Sequence, residues 1–314
     1  MLGRGVAEQL SRQPADDVWA PEVRELLRSC DAVLCNLECC VSERGHRTAR
    51  IPGKPFFFRS PSAGVEALKA IGTTAVGLAN NHALDFETEA LADTLEHLQR
   101  AGIASAGAGR GLEAARGGTQ FDAGSLRIGL VSVSDHPSEY AAGDDSWGIA
   151  YADLKRGAPD FLLEEIARLR DGCDRVIAFP HWGFNMTSKP APWQRRLASE
   201  LVEAGADLLA GHSAHVFHAV GWSPSGPLLY DLGDALDDYA VDPKLRNDLG
   251  VAAIWEPGGE PALELLGLHL EFCHTRLARG RDAEWIARRL EGACSELGTR
   301  VTRTAEQLFS VAPS

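Results

Sequence analysis

Residues 206–218 read ADLLAGHSAHVFH. A short apolar run ends in glycine, and His212, His215 and His218 then fall within seven positions of a chain that has 10 histidines among 314 residues. An apolar run of this length bounded by turn residues reads as a buried strand. The carboxyl ends of strands form the ligand-binding rim of an α/β sheet, and that is where these imidazoles stand. Two readings are open at this point: metal-binding histidines, or ordinary histidines that cap carbonyls at the end of a buried element.

Working outward, the same pattern recurs. Short apolar runs bounded by Gly, Pro, Asn or Asp occur at 31–37 (DAVLCNL), 73–79 (TTAVGLA), 127–134 (RIGLVSVS), 174–180 (DRVIAFP), 206–211 (ADLLAG), 227–233 (PLLYDLG) and 249–256 (LGVAAIWE). Helical periodicity marks 21–30, 62–72, 87–102, 158–172 and 191–205, several of which end in glycine. Strand and helix alternate, which predicts an α/β architecture. From 227 to 272 strands follow one another, and RDAEWIARRLEGACSELGT then closes the chain as a helix. The simplest partition is one domain over 1–272 with a helical appendage over 273–314.

Composition narrows the class. An apolar fraction of 45% and a charged fraction of 24% are those of a folded soluble domain. A net charge of −13 argues against nucleic acid or an anionic membrane as partner. The apolar runs are too short to span a bilayer, and the first residues carry no secretory signal. Seven cysteines, three of them crowded into CNLECC, make neither a disulfide framework nor a zinc pattern. Reduced thiols in the cytoplasm are the expectation. A homo-oligomer is compatible with all of this.

The chemistry-capable residues sort by position. The run at 31–37 leads into Glu38, that at 73–79 into Asn80-Asn81-His82, and that at 127–134 into Asp135-His136. The run at 174–180 leads into His181, and that at 206–211 into His212 and His215. A lone histidine after a strand is ordinarily structural, and a lone Asn-Asn is ordinarily a turn. Five strand ends together point to a metal site, and His, Asn and carboxylate donors without cysteine suit Mn, Fe or Zn. His218 falls inside the next element and reads as structural.

At this point the segments CNLECCVSERG, ANNHALDF, PHWGFNM, PWQRRLASELVEAGADLLAGHSAHVFHAV and LLYDLGDAL resemble the successive motifs of the CapA family, associated with poly-γ-glutamate capsule synthesis. The resemblance runs over residues 1 to 256. It implies a fold similar to the calcineurin-like metallophosphoesterases, a four-layer sandwich of two central β-sheets flanked by helices. It also implies two divalent ions at the strand ends. Glu38 would then lie beside or between the metals, Asn81 and His181 would be ligands, and His212 and His215 would divide between the ions. His82 would be the general acid, oriented by Asp85.

Three departures from the family pattern matter. The family carries a Gly-Asp ligand just ahead of Met-Leu-Gly-Arg-Gly, whereas this sequence begins at Met1-Leu2-Gly3-Arg4-Gly5. A start assigned too late is the expectation; without that aspartate, one ion replaces two. His212-Ser-Ala-His215 stands where His-His-Pro-His is usual, keeping both histidines. Asp231 and Asp234 stand where Ser and Asn are usual. Asp234 is therefore a candidate for binding a cationic substrate or an extra metal, and a solvated acidic loop is the other reading. Lys54 and Arg59 flank an aromatic stretch, PFFF, read as a strand. They are candidates for holding a phosphate or carboxylate, or else the charges of an edge strand.

The implied function is a metal-dependent hydrolase of a phosphate ester or a glutamyl-type amide, with a small-molecule or polymer substrate. The alternative is a non-catalytic accessory component of capsule polymer synthesis. A tailoring enzyme for a small metabolite differs from the first only in substrate.

Overall fold

Each apolar run becomes a strand, and the sheets it joins follow from how many of its faces are apolar. The computed structural model describes residues 1–260 and 262–314. Strands β1 (Val33–Asn36), β4 (Thr73–Gly77) and β5 (Ala104–Ala106) form a parallel sheet in that order, and β2 (Cys40–Val41) and β3 (Arg59–Ser60) pair by themselves. A second small pair joins β6 (Ala108–Arg110) to β9 (Trp147–Ile149). The six-stranded sheet contains β7 (Thr119–Ala123), β8 (Leu126–Ser134), β10 (Arg175–His181), β11 (Leu208–Ala210), β12 (Val220–Trp222) and β13 (Pro227–Leu229). Its order is β12-β13-β11-β10-β8-β7, parallel in the middle with antiparallel edges.

The third sheet is antiparallel and contains β14 (Leu249–Trp255), β15 (Leu263–Glu271), β16 (His274–Leu277), β17 (Thr299–Arg303) and β18 (Leu308–Pro313). The helices are α1 (Gly5–Leu10), α2 (Pro21–Arg28), α3 (Ala63–Ala70), α4 (Glu87–Arg100), α5 (Gly111–Arg116), α6 (Asp160–Gly172), α7 (Pro192–Glu203) and α8 (Arg281–Ser295).

Both faces of the six-stranded sheet are covered, so its central strands are apolar throughout. On β10, Ile177 and Phe179 face one core with Leu249, Val251, Leu263 and Leu265 of the third sheet. Val176 and Ala178 face the other core, under Leu162, Ile166 and Leu169 of α6 and Leu197 and Leu201 of α7. The first sheet shares the inner core through Ala75 and Ala106, and turns Val33 and Val76 toward the core beneath α2, α3 and α4. Sheets lie against sheets with helices outside them, an α/β sandwich as expected. The sheets approach closely at Gly77, where a Cβ would meet the Phe179 ring at 2.5 Å. Among the described residues no helix is long and apolar enough to cross a membrane.

Two expectations need correction. The stretch 273–314 is not purely helical: α8 is joined by β16, β17 and β18, and β18 pairs with β15 in the third sheet. Those strands were hard to see because β17 has a largely exposed face, with only Thr299 buried. The aromatic stretch before Arg59 is not a strand either. Pairing there is confined to Arg59 and Ser60 against Cys40 and Val41: Pro55 has no N–H to give a ladder, and the Phe58 N–H goes to the Asp85 carboxylate at 2.7 Å.

Candidate metal centre

The carboxyl ends of β1, β4, β8, β10 and β11 deliver their polar residues to one rim. His181 ends β10 and forms an isolated bridge with His212, just past β11. That pairing brings the two imidazoles together, Nδ1 to Nδ1 at 2.8 Å, and leaves each Nε2 buried with no hydrogen-bond partner. The His136 ring lies 5.0 Å from that of His181. Burial pushes both histidines of the pair down, His181 well below its ordinary range and His212 to about 3, and the neighbouring His136 adds to the effect. Neutral imidazole is the form that binds a metal.

His215 is built differently. Asp234 holds its Nδ1 with both oxygens at 3.0 Å. Burial opposes the charged imidazole, but the Asp234 carboxylate outweighs burial and raises His215 to about 10. The backbone is strained to place it, with φ of +125° at Ser213 and +58° at His215. Asp231 supports that loop from behind, accepting the Ala214 N–H at 2.7 Å and the Gly233 N–H at 2.8 Å. Burial lifts Asp231 to about 7. Asp234 and Asp231 thus sit beneath the histidine loop rather than at a substrate surface.

On the first sheet, Asn36 donates to Glu38 at 2.8 Å and accepts from Asn80 at 3.0 Å, which fixes one Glu38 oxygen. The other, Oε1, is buried without a partner, as is Oδ1 of Asn81. His82 is oriented through Nδ1 by Asp85 at 2.6 Å. Asp85 also accepts from the Phe58 N–H at 2.7 Å, the Tyr140 hydroxyl at 3.1 Å and the Lys54 ammonium at 3.1 Å. Burial lowers the His82 pKa, with Asp85 working against that shift.

A cleft of about 600 Å³ opens over this rim, lined among others by Lys54, Asn81, His82, His215 and Tyr239. The structure therefore brings Glu38, Asn81, His82, Asp85, His181, His212, His215 and Lys54 to one region. Arg59 is elsewhere: its guanidinium stacks on Phe86 at 4.2 Å and donates to the carbonyls of Arg44 and Gly45. His218 is structural as expected, bonded to the Thr187 carbonyl at 3.0 Å. Sequence reasoning missed Arg4, Tyr140 and Tyr239 at the site. Each reaches it from a distant segment, and only the Arg in Met-Leu-Gly-Arg-Gly carried a motif signal.

The donor set fits a divalent ion in its chemistry. Buried, unpaired Oε1, Oδ1 and two Nε2 atoms are costly unless something meets them. The carboxylate behind His215 is the usual outer support of a ligating histidine. Among the described residues, no three His, Cys, Asp or Glu side chains converge on one point.

The family described as "Bacterial capsule synthesis protein PGA_cap" matches residues 1–239. The "Probable polyglutamine synthesis accessory protein" of Mycobacterium tuberculosis strain H37Rv is 32% identical over 299 residues, covering 90% of this chain and 78% of its own. The "Capsule biosynthesis protein CapA" of Bacillus anthracis is 28% identical over 242 residues, 76% of this chain and 58% of that one. The "PGA biosynthesis protein CapA" of Bacillus subtilis strain 168 is 27% identical over 241 residues, with coverage of 76% and 61%. From the span of the family match and the relative above 30% identity, this chain belongs to the bacterial capsule synthesis protein family PGA_cap.

Proposed function

We propose that this chain is a metal-dependent hydrolase whose substrate is a phosphate ester or a glutamyl-type amide. The observation that carries the reading is a set of buried, partnerless donor atoms on Glu38, Asn81, His181 and His212 beside a carboxylate-oriented histidine in a cleft. Mn, Fe or Zn held by Glu38, Asn81, His181, His212 and His215 would supply a hydroxide nucleophile and offset charge at the reacting centre. The chain's own work is proton handling and placement. Asp85 keeps the proton on Nδ1 of His82, so Nε2 faces the cleft free to take a proton and return it to the leaving oxygen or nitrogen. Lys54, bonded to the Asn81 carbonyl at 2.6 Å, fixes the loop that carries both residues.

A second reading, a non-catalytic accessory component of capsule polymer synthesis, draws on the printed name of the mycobacterial relative. One experiment separates them. Purified protein is loaded with manganese, iron or zinc, its metal content is measured, and hydrolysis is followed across phosphate ester and glutamyl amide panels for wild type and His82→Gln. Bound metal with turnover lost in His82→Gln supports the hydrolase. Absence of metal and turnover refutes it.

A further inference from the structure

The side chains described as lining the cleft are cationic, neutral polar or apolar, Arg4 and Lys54 supplying its positive charge. Among the described residues no carboxylate lines it, in a chain whose net charge is −13. Lys54 is consumed by Asp85 and the Asn81 carbonyl. Arg4 is not consumed. Its Nε meets Asp238 at 3.2 Å, and among the described residues no acceptor meets its two terminal nitrogens.

The guanidinium is also held in place. Its carbon lies 5.3, 5.5 and 5.9 Å from the ring centroids of Phe56, Phe58 and Tyr239. Asp238 is itself fixed, nearly buried and accepting the Gly5 N–H at 2.9 Å. The Arg4 backbone has a φ of +54°, a strained conformation for a non-glycine residue. A guanidinium set over rings and ion-paired at Nε leaves its two terminal nitrogens as a two-donor fork, the geometry that matches an oxyanion.

We propose that Arg4 forms an anion subsite at the cleft mouth, holding a carboxylate or phosphate oxyanion of the ligand apart from the reacting centre. The separation is set by shared walls. Phe58 touches Arg4 on one side and His82 on the other, with the His82 ring 4.5 Å away. Tyr239 likewise lies between Arg4 and His215, 5.2 Å from the latter. The ligand therefore carries its anionic group about one aromatic ring away from the atoms that His82 serves, and its linking segment lies along Phe56 and Met186. This subsite deepens the hydrolase reading, but binding alone tests it, without turnover.

The test is calorimetric titration in chelator with N-acetyl-glutamate, phenyl phosphate and the uncharged N-acetyl-glutamine amide, using wild type, Arg4→Gln and Arg4→Lys. Arg4→Lys keeps the pair with Asp238 and serves as the folded control if Arg4→Gln unfolds. Both variants are expected to weaken the anionic probes, Arg4→Gln by about tenfold or more, and to leave the uncharged amide unchanged. Selective loss of the carboxylate probe or of the phosphate probe identifies which oxyanion the subsite takes. Wild type that binds neither anion, or folded variants that bind both as tightly as wild type, overturns the proposal. Absence of turnover with these binding differences intact would sink only the hydrolase reading.

Discussion

Asp85→Asn tests the hub on which the site's geometry rests. The substitution keeps volume and shape, so it creates no cavity; what it removes is charge and one acceptor. The native carboxylate is fully buried and serves four donors: His82, Phe58, Tyr140 and Lys54. An amide has one oxygen, so whichever way it turns, its NH2 faces two donors. Tyr140 can rotate its hydroxyl and His82 can change tautomer, but Lys54, only 8% exposed, is left without a counter-ion. Breaking a buried pair in this way costs about 3–5 kcal/mol. Lys54→Met alone leaves Asp85 with its other donors and costs less. In Asp85→Asn/Lys54→Met the stranded charge is gone, so the two substitutions couple favourably by about 2 kcal/mol. The assay is urea unfolding followed by tryptophan fluorescence, for which seven tryptophans give signal. An Asp85→Asn protein within about 1 kcal/mol of wild type, or two costs that simply add, refutes the account.

Three further outcomes follow from other parts of the molecule. A Cβ on Gly211 would sit 2.4 Å from the Trp182 indole nitrogen and 2.5 Å from the Tyr230 carbonyl, which bond each other at 3.0 Å, so Gly211→Ala should cost about 1–3 kcal/mol in thermal or urea unfolding. In chelator, His218 and His212 should each withdraw stability as pH drops below about 6.5. His218 is depressed to about 4 and His212 to about 3, so the unfolded chain binds protons there that the folded one refuses; His218→Gln should flatten that acid limb in urea titrations. The sign reverses for His215, raised to about 10: its contribution is complete below 6.5 and lost as pH climbs toward 10, so His215→Gln should make the alkaline part of the same profile shallower.

The fold was largely legible because buried parallel strands carry apolar residues on both faces, as in RVIAF, and end abruptly in polar ones. The rim was legible for the same reason: Glu38, Asn81, His181 and His212 each stand just past such a run. What the sequence hid depends on long-range contacts. Tyr140 reaches Asp85 across 55 positions, and Arg4 finds Asp238 and Tyr239 far along the chain, with no local pattern to announce either. Arg59 looked like a twin of Lys54 in PGKPFFFRS. The short β2–β3 pairing instead turns it toward Phe86. Asp234 looked like an exposed acidic loop, yet its partner is the histidine it orients.

The position of β18 has a consequence for how the chain is made. It inserts between β15 and β17, pairing Leu265 with Phe309 and Thr302 with Ser310. Residues 264–266 of β15 are thus made well before the strand that pairs with them, whereas β16 follows at once and pairs 268–271. Until residues 308–313 emerge, an apolar edge of the third sheet stands open next to the inner core, exposed to wrong pairing with other chains. That open edge is a point at which mispairing competes with folding while the chain is being made.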